Sequence, residues 1–384
     1  MKKLAVFLIM AMFMASVVPA YCMGDVIWEK TYDIERRDYE EGLGIATDNN
    51  DNVIVGGAGG EGALIKYGPG GNVLWDYGNN VFQLTNIYDV ATDSSDNIIF
   101  GGSGAFGKIG PNGGLTVPVI WGISTNGSIE SVAVDSNDNV LAVNSEYNLW
   151  KTDKDGTILP GFPKSLGGIL SDPHVSVDSK DNIILTGYID DTIRYIKTVK
   201  LDPNGTLIWE KVYEPLGDKY GSGFDVTVEP YDNIVVTGYY YTDIITLKYD
   251  TNGNLIWAKT FSVAPKDSYS HGVATDSNGN IFVAGNFDYF NAEVSADYPR
   301  WIVLKYDRNG NLVWTKINSS VAYSYAYGIT VDSENNILVT GVISVKPNPD
   351  FKSLIYTVKY QGEQKKKSLP IDFILKILKK NKNK

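Results

Sequence analysis

Histidine and cysteine are almost missing: the 384-residue chain has two histidines and one cysteine. That excludes a four-ligand His/Cys zinc site, a four-cysteine cluster and any disulfide within one chain. A Ser/His/Asp or Cys/His nucleophile system would have to use His174 or His271. No phosphate-cradling glycine motif stands out, because the glycines follow the turns. After residue 20 no apolar run is long enough to cross a bilayer. No cofactor, metal or catalytic residue is expected. What is present is a globular apolar share of 43%, which excludes wholesale disorder. There are also 39 glycines, 25 tyrosines and 8 tryptophans, and the formal net charge is −11.

The two ends differ from the body. Lys2 and Lys3 precede an apolar stretch, Leu4 to Val18, broken only by Ser16, and Val18-Pro19-Ala20 suits cleavage after Ala20. Residues 1–20 therefore read as a secretory signal peptide, with a retained anchor as the alternative, and the chain is expected outside the cell or in its envelope. Cys22 lacks the small preceding residue of a lipidated cysteine and reads as an incidental thiol. Residues 363–384 carry eight lysines against Glu363 and Asp372, a net of +6. Ile371, Ile374, Leu375 and Leu378 give that tail a helical apolar stripe, expected either to touch an anionic membrane or wall or to remain a solvated terminus. The intervening residues 21–362 hold 24 basic and 43 acidic side chains, a net of −19 that repels nucleic acid.

Aligned on itself, the chain shows one pattern seven times. A short apolar strand ends in Asp48, Asp93, Asp135, Asp178, Glu229, Asp276 or Asp332, and four residues later comes Asn. Nine residues after the acid stands Gly, or Asn144 in the third repeat. A strand carrying Lys66, Lys108, Lys151, Lys200, Lys248, Lys305 or Lys359 follows, then a turn such as Asp250-Thr-Asn-Gly-Asn254, then a strand ending near Trp, with Pro160 in its place in the third repeat. Four short antiparallel strands in roughly 40–50 residues describe a propeller blade. The expected fold is all-β: a seven-bladed β-propeller over residues 21–362. The seventh repeat lacks its Trp strand, while Val26–Lys30 is an orphan resembling Leu207–Lys211, so the N-terminal strand is expected to complete the last blade and close the ring.

The run Gly272–Gly285 followed by Leu304–Trp314 resembles the seven-bladed β-propeller (SBBP) repeat family of secreted and cell-surface microbial proteins. The resemblance covers residues 24–361. It implies an extracellular or envelope location and a binding or structural role, and it carries no catalytic residues to transfer. Trp-Asp repeats have a similar length, but Trp-Asp occurs here once, at Trp75-Asp76, and the Gly-His element is absent.

Spacing varies between Gly and Lys and between Trp and the next acid, two loop sets that emerge on one rim of the ring. Function is expected there, on loops held by a rigid scaffold. These loops are tyrosine-rich, with Tyr240, Tyr289, Trp301 and Tyr325 as candidate contacts for a glycan or a partner protein, unless the tyrosines only pack the loops together. The longest is residues 286–300. If each first strand lines the channel, Asp89, Glu130, His174, Asp225 and His271 ring one mouth, a candidate site for a cation or small polar ligand. Carboxylates at that mouth also suit a polysaccharide lyase or glycosidase, and an envelope spacer is the third reading. The Asp48–Asn52 and Asp135–Asn139 runs look like the start of a calcium loop but lack its twelfth-position Glu, and are expected to cap their own turns.

Overall fold

The computed structural model describes residues 25–362 apart from 34–38, 60–61, 78–83, 113–118, 168–169, 191–193, 215–219, 264–266, 292–295, 319–322 and 347–351. The expected signal peptide (1–20) and lysine-rich tail (363–384) lie outside the described residues. The described residues form 28 strands in seven four-stranded antiparallel sheets and no helix, so none crosses a membrane as a helix. Blade 1 comprises Glu41–Thr47, Val53–Ala58, Ala63–Tyr67 and Val73–Tyr77, and the next five blades follow in chain order. In blade 7, Ser324–Val331, Ile337–Lys346 and Lys352–Tyr360 are joined by the N-terminal strand Val26–Tyr32.

The expected closure is what the structure has. Trp28 pairs with Lys359 as Trp75 pairs with Lys66 and Trp209 with Lys200, so the N-terminal strand occupies the register of the outer strands of blades 1, 2, 4, 5 and 6. The middle strands of each blade are buried on both faces because neighbouring blades cover them: Val53, Ile54, Val55, Leu64 and Ile65 are all solvent-free. The outermost strands stay half-exposed, as at Leu207 and Ile208. Seven apolar clusters make up the core, packed chiefly between adjacent blades.

The repeated acid, lysine and tryptophan bolt blade to blade. Asp93 accepts the backbone N–H groups of Ser95 (3.0 Å) and Asn97 (2.9 Å), the Asn97 amide (2.9 Å) and the Lys108 ammonium (2.9 Å). Lys108 also donates to the Lys154 carbonyl of the next blade (2.8 Å), and the Trp121 indole donates to the same oxygen (3.1 Å). Trp28 closes the ring in this way, donating to the Pro69 carbonyl of blade 1 at 2.9 Å. Burial alone would push the Asp93 carboxyl up, but these donors outweigh it and hold it below the usual range, as they do at Asp48, Asp135 and Asp178. The acids thus cap their turns as expected.

A second ring of hydrogen bonds joins the turns themselves. Asp96, Asp138, Asp181 and Asp232 sit at positive φ and accept a backbone N–H from the preceding blade, at Asn49, Ser94, Ser136 and Ser179. Asp51 does the same for Ser333 of blade 7, at 2.9 Å from the backbone and 2.7 Å from the hydroxyl.

Two local expectations change. In blade 3, Pro160 offers no backbone N–H for a ladder; pairing lapses there and the outer strand shrinks to Lys164–Ser165 against Asn148 and Leu149. The stretch 286–300 is mostly hairpin: Ile281–Asn291 and Ala296–Tyr306 continue pairing out to Asn291 with Ala296.

Candidate functional site: the channel mouth and a tyrosine crescent

Every innermost strand carries a register shift at the same place. It falls between Gly42 and Gly44, Ile87 and Asp89, Ile129 and Ser131, Ser171 and His174, Gly223 and Asp225, Ser270 and Gly272, and Ala326 and Gly328. The skipped residues are Leu43, Tyr88, Glu130, Asp172-Pro173, Phe224, His271 and Tyr327. A bulge re-aims the side chain it releases. Here the seven bulges surround a cavity of about 90 Å3 on the channel axis, lined by Leu43, Gly44, Ile45, Tyr88, Asp89, Glu130, His174, Asp225, His271, Gly272, Tyr327, Gly328 and Ile329.

Five of the nine residues singled out from sequence therefore meet in one cavity: Asp89, Glu130, His174, Asp225 and His271. Tyr325 stands beside it, 6.4 Å from His271 and stacked on Tyr327 at 5.6 Å. Two others are placed elsewhere. Tyr240 turns inward and packs on Tyr213 in the core between blades 4 and 5, because alternate strand residues face opposite ways; Tyr239 and Tyr241 point to the rim instead. Trp301 is solvent-free between blades 6 and 7, 5.3 Å from Tyr356. For Tyr289 the backbone pairs with Tyr298, and its side chain lies outside the described residues.

The carboxylates at the axis hold neighbouring blades together. Asp89 accepts the N–H of Val90 (2.8 Å) and, from the next blade, that of Val132 (2.9 Å). Asp225 accepts those of Val226 (2.8 Å) and Val273 (2.7 Å). Burial raises both acids, Asp89 to about 6 and Asp225 to about 7, with Asp89 adding to the rise of Asp225 and the backbone donors resisting it. Burial likewise raises Glu130, with Asp172 adding to it, and depresses His174 to about 4, with His271 adding to the depression. His271 is depressed by burial against the opposing contact of its Nε2 with Asn286 Oδ1 at 2.8 Å. Among the described residues no three His, Cys, Asp or Glu side chains are grouped closely enough to hold a metal ion.

Around blades 5 to 7 the mouth is bordered by a chain of touching rings. Tyr241 meets Tyr220 (6.1 Å), Tyr220 meets Tyr239 (6.0 Å), and Tyr239 meets both Phe224 (5.3 Å) and Tyr269 (5.5 Å). Phe224 stacks on His271 (5.9 Å), His271 meets Tyr327 (5.1 Å), and Tyr325 meets Tyr323 (5.2 Å). Tyr327 donates to Glu41 at 3.2 Å and Tyr39 donates to the same oxygen at 2.5 Å, extending the crescent to blade 1. Sequence reading missed Phe224, Tyr269 and Glu41, and reached Tyr239 and Tyr327 only as members of the tyrosine-rich runs 239–241 and 323–327. The signal available was position: Phe224 and Tyr327 each immediately precede the residue four before the repeat acid, the place His271 and Glu130 hold.

Residues 256–286 match the SBBP β-propeller repeat. The chain is a seven-bladed propeller in which one repeat matches that family model. An alignment 165 residues long, covering 39% of the chain, is 24% identical to an uncharacterized WD repeat-containing protein of Acanthamoeba polyphaga mimivirus, and spans only 11% of that protein. Among solved structures, 89% of the chain superposes on 30% of Raptor from Chaetomium thermophilum (TM-score 0.62, 10% identity). It also superposes, over 86% of its length, on 99% of a catalytically inactive virginiamycin B lyase from Staphylococcus aureus, solved with quinupristin (TM-score 0.55, 11% identity). At these identities the likeness is one of fold.

Proposed function

We propose that this propeller is a non-catalytic binding module that takes a polypeptide partner on its tyrosine crescent. The observation that carries this is the continuous arc of nine mutually contacting rings on one rim, bordering a polar cavity. Tyrosine gives large contact area at low entropic cost, with a hydroxyl for specificity. A glycan platform is the second reading. It asks for open, coplanar faces, whereas only Phe224–His271 and Tyr325–Tyr327 stack here, and the other seven pairs incline by 44° or more, offering edges and hydroxyls. Membership of a fold widely used as an interaction platform supports a binding or scaffold role. Export, supported by the Lys2–Ala20 pattern, and membrane or wall contact through the lysine-rich tail complete the proposal.

The test is parallel screening of the full chain on peptide and glycan arrays, with a Tyr239→Ser/Tyr325→Ser variant as control. Binding to peptides that falls at least tenfold in a variant of unchanged melting temperature is the expected result. Binding confined to glycans, or indifferent to both substitutions, refutes it.

A further inference from the structure

The cavity at the mouth has a chemistry that narrows its occupant. Its ionisable lining is acidic or imidazole, and no lysine or arginine lines it. Glu41 adds a carboxylate at its edge through Tyr327. An anion is therefore disfavoured, and the whole described body, part of a −19 segment, repels it further. At about 90 Å3 the cavity is far below the roughly 300–1,000 Å3 of pockets for drug-sized molecules, so it takes a side-chain end rather than a sugar chain. A bare metal lacks a grouped ligand set among the described residues. What remains is a small organic cation, for which the Tyr327 ring and the adjoining Tyr325 supply π faces. His174 makes no hydrogen bond among the described residues, so its ring nitrogens are uncommitted toward the cavity it lines. Burial keeps both histidines neutral near pH 7, so they do not oppose positive charge.

We propose that the mouth receives a single lysine side chain from a partner segment lying across the tyrosine crescent, its ammonium group entering the cavity whose wall carries Asp89, Glu130 and Asp225 beside the ring of Tyr327. This rests on the binding reading above and names the partner's chemistry: an exposed, extended segment with a protruding lysine. Asp89 and Asp225 each spend lone pairs on two backbone donors and retain others for the ammonium. Long-range attraction by the acidic body brings such a segment in, and salt weakens it.

The experiment uses the full chain on three degenerate nonapeptide arrays that fix the central residue as lysine, acetyl-lysine or norleucine. Binding to the lysine array at least tenfold above the other two is expected. At pH 8, where the raised acids cost the parent most, Glu130→Gln and Asp225→Asn should each cut that preference at least fivefold while the melting temperature stays at or above that of the parent chain. Equal binding to the three arrays overturns the lysine mouth, as does a preference that survives both substitutions. Binding lost in Tyr239→Ser/Tyr325→Ser yet blind to the central residue overturns the lysine mouth while leaving the crescent standing. Absence of binding to every array overturns both.

Discussion

Asp225 offers a quantitative test of how the axis is built. Its folded pKa is about 7 against an ordinary 3.8. A carboxyl raised on folding binds its proton more tightly in the native state. Stability therefore falls as pH rises from the ordinary value through the folded one. At 1.36 kcal/mol per unit, the penalty for its buried charge grows by about 2–3 kcal/mol between pH 5 and pH 8. Asp225→Asn removes that titration. Its amide oxygen still accepts one backbone N–H, and the other bond is lost at a pH-independent cost of about 1 kcal/mol. Unfolding in denaturant at fixed pH gives the two stabilities. The variant-minus-parent difference should climb by about 2–3 kcal/mol from pH 5 to pH 8, leaving the variant the more stable at the top of the range. The parent alone shows a shallower trend, because His174, depressed to about 4, loses stability as pH falls below its ordinary 6.5 and so opposes Asp225. Glu130 and Asp89, both raised, act with Asp225. A difference constant to within about 0.5 kcal/mol over this range would show that Asp225 is hydrated and refute the account of its burial.

Three further outcomes follow from the scaffold. Trp28→Ala empties the closing blade's indole site, 8% exposed, and removes its bond to Pro69; thermal melting should show a loss of about 3–5 kcal/mol. Lys200→Met strands the Asp178 carboxylate, its partner at 2.7 Å, for a loss of about 3–5 kcal/mol, and a Lys200→Met/Asp178→Asn double variant should recover part of it in a double-mutant cycle. Gly44→Ala would set a Cβ 2.7 Å from the Asp89 Cα, a backbone contact that cannot yield; a loss of about 1–3 kcal/mol is expected by denaturant midpoint.

Blade number, strand order and ring closure were legible because they rest on local signals repeated seven times: the acid, the Asn four residues on, the lysine, the turn and the tryptophan. Each has a fixed physical task, so each recurs at fixed spacing. Pro160 shows the same logic in reverse, a single departure that shortens one strand. The mouth was legible in part. Counting four back from each acid reaches Asp89, His174 and Asp225, and one residue further reaches Glu130 and His271, but the recurring bulge that releases Phe224 and Tyr327 at the same place leaves no composition signature. Tyr240 and Trp301 show the limit more sharply. Both lie in tyrosine-rich or long variable stretches, yet those stretches are strands, and strand alternation sends one residue to the rim and its neighbour into the core. Residue type chooses the stretch; only the register chooses the face.

The inner ring makes the candidate site more than a by-product of that register. Seven equivalent positions must each bring one innermost strand against the next, and two solutions are used. Glycine lets the backbones touch, as at Gly44 against Asp89, Gly272 against Tyr327 and Gly328 against Leu43, where an added Cβ would lie 2.7 or 2.8 Å from backbone atoms. An oxygen-bearing side chain instead accepts the neighbour's N–H, as Asp89 does from Val132, Ser131 from Val175 and Asp225 from Val273. His174 follows neither course. In its joint the N–H of Val226 is already taken by Asp225, and the imidazole makes no hydrogen bond among the described residues. Blade 4 therefore reaches blade 5 without help from this side chain, and replacing it costs the ring no inter-blade hydrogen bond. A residue that serves no joint, at a position where its counterparts do, in the lining of the same cavity, is placed by the scaffold but not required by it, which is the condition under which a side chain is free to serve a ligand.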